Sequence, residues 1–155
     1  MRLLFLTHRL PYAPNRGDRI RAYHTLQMLR RRARVDVVSL VHDAEEASHV
    51  DDMRDLAETV HAAPVDKVRN YFAGALSLAT TRPLTHALLN SLSLPPILQR
   101  LVAERRPDVV LAYCSGMARF ALEPPLAGLP LVIDLLDVDS LKWRALAATA
   151  RPPMS

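Results

Sequence analysis

Three polar clusters in this sequence carry residue types that could bind or transform a ligand. The first is His8, then Asn15-Arg16-Gly17-Asp18-Arg19. A helix opening at Asp18 would present free backbone N–H groups. With Arg16 and Arg19 beside them, those groups could hold a phosphate. The same residues also read as a solvated helix start, with Asp18 as cap and Gly17 supplying a positive φ. His8 directly follows an apolar run, so its ring could bond either a substrate or neighbouring backbone. The second cluster is Cys114-Ser115-Gly116. Cys114 has no His or Cys partner at ligand spacing, so no metal is expected. It reads as a small buried hydrophobe, although a helix N-terminus would lower its pKa. The third is Asp137-Val138-Asp139-Ser140. Asp137 is the catalytic candidate, as general base or sugar-hydroxyl binder. Asp139 binds the same ligand or caps the helix that Ser140 begins.

Some chemistries are excluded by what these loops lack. Gly17 is the only glycine before the first helix, so neither Gly-x-Gly-x-x-Gly nor Walker A is present. No nicotinamide or flavin cofactor is expected. The basic run Arg30 to Arg34 has no interleaved aromatics. It reads as a solvated face rather than a nucleic-acid surface.

The elements that must position these clusters follow from the hydrophobic pattern. Arg2–Thr7, Val35–Val41, Val60–Val65, Asp108–Tyr113 and Leu131–Leu136 are short apolar runs that suit strands buried on both faces. Between them lie helical patterns. Ala22, Leu26, Leu29 and Ala33 make one stripe, with Arg30 to Arg32 placed in the last turns. Glu45 to Glu58, Val68 to Leu78 and Leu84 to Leu92 follow. Leu94, Ile97, Leu98, Leu101 and Val102 mark the next helix, which must stop before Pro107. A short helix ends near Leu122, and another begins at Leu141. Alternating strands and helices predict an α/β fold: a Rossmann-like, open, mostly parallel sheet of about five strands in the order 3-2-1-4-5, with helices on both faces. Ligands then sit where the strand order reverses, between strands one and four. All three clusters converge on that end of the sheet.

The 155 residues suit one domain, and the half that are hydrophobic can build one core. The formal net charge of +4 suits Arg-rich helix faces, or attraction to phosphates or a membrane surface. One cysteine, no signal-peptide pattern and no run of roughly 18 apolar residues predict a cytoplasmic protein, with peripheral association to the inner membrane left open.

Two blocks carry a resemblance. Arg2 to Tyr12 with Pro14 to Arg21, and Val132 to Trp143, resemble segments of glycosyltransferase family 4 proteins, most of all the exosortase-associated (PEP-CTERM) sugar transferases. Pro152-Pro153-Met154 is similar to the start of their next segment. The resemblance implies the N-terminal, acceptor-side half of a two-domain GT-B architecture. The donor-binding Rossmann domain would lie beyond residue 155. It further implies a retaining hexosyltransferase that needs no metal. Such an enzyme moves sugar from a nucleotide-sugar donor to a polysaccharide or lipid-linked acceptor, as in exopolysaccharide biosynthesis. The piece alone would be inactive. Relatives often pair glycines where Gly17 stands alone beside Arg16, which shifts phosphate binding toward the arginine. Many present a histidine where this chain has Asp137. Two other readings remain: a phosphometabolite- or nucleotide-binding domain, and a flavodoxin-like regulatory module.

Overall fold

A computed structural model describes residues 1–81, 83–135, 141, 148 and 149. Five strands form one sheet: β1 (Arg2–Thr7), β2 (Arg34–Val41), β3 (Thr59–Pro64), β4 (Val109–Tyr113) and β5 (Leu131–Asp134). Every pairing is parallel, and the order is β3-β2-β1-β4-β5. The α/β sheet predicted from the apolar runs is therefore the one observed.

The helices are α1 (Gly17–Leu29), α2 (Ala44–Ser48), α3 (Lys67–Ser77), α4 (Leu84–Leu88), α5 (Leu94–Arg105) and α6 (Ser115–Leu122). Strand alternation splits the core in two. On one face Leu3, Phe5, Val35, Val37 and Tyr113 pack with Ala22 and Leu26 of α1 and with Met53. On the other, Leu4, Leu6, Val38 and Ala112 pack with Leu94, Leu98 and Leu101 of α5 and with Met117 and Phe120 of α6. The central strands are buried on both faces, which is why their sequences are continuously apolar rather than alternating. At the amino edge, wholly buried Asp36 is met by Arg2 at 2.9 Å and accepts the Thr59 hydroxyl at 2.6 Å.

Several boundaries differ from the sequence expectation. Glu45 to Glu58 is not one helix. It is α2 followed by a 3-10 turn at Asp51–Met53. Asp, a weak helix former, occupies positions 51, 52 and 55, and Met53 turns into the core. The arginines Arg30 to Arg32 lie beyond α1, with Arg30 at its C-cap. Asp18 is not the cap of α1. Arg16 holds that position with extended backbone and no side-chain cap bond, and Asp18 sits in the first turn. Gly17 opens the helix, and Gly128 is the one glycine with positive φ among the described residues. The helix expected from Leu141 falls mostly outside the described residues. Among those described, no helix is long and apolar enough to cross a membrane.

Candidate functional site

The β1–α1 loop leaves the carboxyl edge of the sheet and is held from beneath by one carboxylate. Glu46 of α2 is buried. Its Oε1 accepts the Leu10 amide at 2.9 Å, and its Oε2 accepts the His42 amide at 2.8 Å. Arg19 reaches it at 3.3 Å and Arg9 at 3.6 Å. His42 Nε2 then donates to the His8 carbonyl at 2.8 Å. A carbonyl can only accept, so this bond fixes the proton on Nε2. Loop residues 8 to 10 are thereby tied to the end of β2 and the start of α2. Sequence reading missed Glu46, because nothing local marks it among the acids of 45–58.

His8 is the centre of what this scaffold presents. Its ring lies nearly parallel to Tyr113 at the end of β4, with centroids 6.2 Å apart and planes 12° from parallel. Its Nε2 stands 3.8 Å from Asp18 Oδ2. Burial pushes the imidazole below its ordinary 6.5, and the Asp18 charge only partly opposes this. The ring is therefore neutral near pH 7, with one nitrogen donating and one accepting. Nδ1 is buried without a hydrogen-bond partner among the described residues.

Asp18 gathers cations around the same point. Arg9 lies 3.7 Å and Arg16 3.9 Å from its carboxylate. The Tyr113 hydroxyl donates to its backbone carbonyl at 3.3 Å. Burial raises that phenol to about 12, so it stays a donor. Arg16 has a side chain 59% exposed and stands at the mouth. Gly17 faces open space, with nothing within 4 Å of where a Cβ would be. Arg19, expected to share a phosphate with Arg16, instead turns inward to Glu46, because a buried carboxylate needs its cation more than solvent does. Nearby, Arg21 of α1 contacts both oxygens of Asp134 at 2.8 and 2.9 Å, joining the helix to the end of β5.

The second cluster forms the turn from β4 into α6. Cys114 adopts φ 85° at the turn from β4 into α6, and Ser115 begins that helix. Gly116 is buried, and a Cβ there would meet Leu89 Cδ1 at 2.5 Å. Leu89 packs on the core face of α5 and α6, opposite the face that holds Tyr113. The glycine thus serves close packing behind the sheet. The structure brings His8, Arg16, Gly17 and Asp18 together. Asp137 and Asp139 lie outside the described residues.

A concavity that sequence reading missed sits between α3, α4 and α6. It has a volume of about 610 Å³ and is lined by residues that include His86, Asn90, Arg119 and Glu123. Arg119 donates to the Leu89 carbonyl and to Asn90 Oδ1, each at 3.2 Å. Its lining comes from three separate helices, so no local motif marked it. Among the described residues, no group of three or more His, Cys, Asp or Glu side chains could hold a metal ion. Compared with protein-family models and with curated proteins, the chain finds no match.

Proposed function

We propose that this chain is the acceptor-side half of a retaining glycosyltransferase that moves a sugar from a nucleotide-sugar donor to a polysaccharide or lipid-linked acceptor. In this reading it is a cytoplasmic protein, and its activity requires a second, donor-binding Rossmann domain. The observation that carries the reading is the placement of neutral His8 against Asp18, with exposed Arg16 beside them, at the carboxyl edge of a 3-2-1-4-5 parallel sheet. A neutral imidazole, with one nitrogen donating and one accepting, suits a sugar hydroxyl, which both donates and accepts. Arg16 suits a phosphate of a donor or of a lipid-linked acceptor. The likeness of Arg2 to Arg21 and of Val132 to Trp143 to family 4 transferases supports the same assignment.

The test is a pair of titrations of the 155-residue chain by calorimetry. UDP-, GDP- and TDP-sugars should bind more weakly than about 10 μM, roughly −7 kcal/mol. Phosphorylated or lipid-linked glycans should bind more tightly than those donors, and both His8→Ala and Arg16→Ala should weaken that binding. Tight binding of a free nucleotide, with no glycan affinity, would favour the phosphometabolite-binding alternative.

A further inference from the structure

Arg119 of α6 is a half-buried cation that the fold has not neutralised. Its Nη2 donates to the Leu89 carbonyl and to Asn90 Oδ1, each at 3.2 Å, and its Cζ stands 4.1 Å from the centroid of the Phe120 ring. All three partners are uncharged. Nε is buried without a hydrogen-bond partner, and no carboxylate among the described residues forms an ion pair with the guanidinium. Burial pushes its pKa down, and the Glu123 charge only partly opposes this. A desolvated guanidinium normally has a carboxylate beside it, because neutral neighbours do not replace the water it has lost.

Glu123 is the second charge without a partner. It lies exposed at the C-cap of α6, where the helix dipole disfavours an anion. Helix residues four apart have Cβ atoms about 5–6 Å from each other, so Arg119 and Glu123 are spaced to pair. They do not, because Leu89, Asn90 and Phe120 hold the guanidinium in place. Both charges instead line the concavity of about 610 Å³ between α3, α4 and α6. Its walls are already pinned together. Asn70 of α3 donates to the carbonyls of Leu88 and Asn90 at 3.1 and 2.7 Å, and Gly74 lets Leu84 and Leu88 of α4 approach closely. Leu76 and Ala87 add apolar surface to the lining. Burial and the Arg119 charge hold His86 below 6.5, so it adds no charge near pH 7.

One cation, one anion and an apolar wall select the ligand. A phosphate dianion would find a single guanidinium and be repelled by Glu123. A zwitterion meets both charges at once. We infer that this concavity binds an α-amino acid with an apolar side chain, its carboxylate on Arg119, its ammonium on Glu123 and its side chain against Leu76 and Ala87. The site goes beyond the proposed sugar transfer. It lies on the α5–α6 face of the sheet, opposite the face that holds Tyr113.

NMR titration of the 155-residue chain with L-phenylalanine tests it. The Kd should lie below about 1 mM. The amides of Asn90, Arg119 and Glu123 should shift, and those of His8 and Gly17 should not. Phenylpropanoate lacks the ammonium and L-phenylalaninamide lacks the carboxylate, so each should bind about tenfold more weakly. Glu123→Gln should weaken L-phenylalanine about tenfold and strengthen phenylpropanoate, because the repelling carboxylate is gone. Its melting temperature should not fall, since Glu123 is exposed. Arg119→Gln should abolish binding of both carboxylates; if that variant does not fold, Glu123→Gln still decides. A Kd for L-phenylalanine above about 1 mM overturns the inference. Equal affinity for phenylpropanoate overturns it too, and would make the site a plain anion pocket. So does affinity that Glu123→Gln leaves unchanged, or shifts at His8 and Gly17 in place of Arg119, which would move the ligand to the carboxyl edge.

Discussion

The buried carboxylate of Glu46 accepts the backbone amide of Leu10 at 2.9 Å across 36 residues of sequence. This one bond, with its companion to the His42 amide, fixes where the β1–α1 loop leaves the sheet. Removing the carboxylate leaves the buried Leu10 amide and the partly buried His42 amide without their acceptor, and the inward-turned Arg19 without its carboxylate. Glu46→Ala should therefore cost about 3 kcal/mol or more in urea unfolding. Hydrogen exchange at Leu10 and His42 should rise more than at the β1 core. Unchanged exchange there would show that the loop is held by other means.

Two ion pairs should separate by burial. Arg2 meets Asp36, whose side chain has no solvent exposure, whereas Arg21 meets Asp134 at a half-exposed position. Arg2→Met strands a buried charge and should cost about 3–5 kcal/mol. Arg21→Met loses a solvent-screened contact and should cost less than about 1 kcal/mol. Equal losses in chemical denaturation would contradict the burial argument.

The histidines set a direction for pH dependence. Burial pushes His8 and His42 below the ordinary value of 6.5. Below pH 6.5 the unfolded chain takes up protons that the folded chain refuses, so stability must fall as pH drops from about 7.5 to 5.5. Each histidine can contribute at most about 1.4 kcal/mol over the unit below 6.5. His8→Gln should flatten the slope measured by urea unfolding at the two pH values. A steeper fall in the variant would mean that the Asp18 contact outweighs burial and that His8 is charged.

The two glycines of the expected site should answer differently to a methyl group. At Gly116 a Cβ would stand 2.5 Å from Leu89 Cδ1. Gly116→Ala should cost about 1–3 kcal/mol through overpacking. Gly17 begins α1, has no positive φ and faces open space. Gly17→Ala should leave the melting temperature unchanged or slightly raised. Any loss of ligand affinity in that variant then reports on backbone approach by the ligand. A large drop in stability would show that Gly17 is structural.

The sheet was legible because its strands have only one reading. Leu3 to Leu6 and Val37 to Leu40 are apolar at every position or nearly so, and such runs fit only strands covered on both faces. The stripe of Leu94, Leu98 and Leu101 set α5 in the same way. The site was legible in part. His8 and Asp18 could be placed at one edge from topology alone. Their closeness to Tyr113 depends on how β4 sits beside β1. The difference between Arg16 and Arg19 was not legible, since it turns on a glutamate from another helix. The outward turn of Tyr71, Phe72 and Leu76 on α3, with Asn70 and Gly74 buried instead, was also hidden. A helical period shows that an apolar face exists but not which way it turns.

The α3–α4 pair carries a further consequence for how this architecture can vary. α3 packs chiefly on α4, while α5 meets β3 and spans the sheet face that leads to β4. Asn70, Gly74, Leu84 and Leu88 close the pair upon itself. The hairpin is thus an appendage on the crossover rather than one of its supports. Exchange of its outward residues leaves all five strands in register. Selection can therefore alter what this surface meets without revising the fold that carries the carboxyl-edge site.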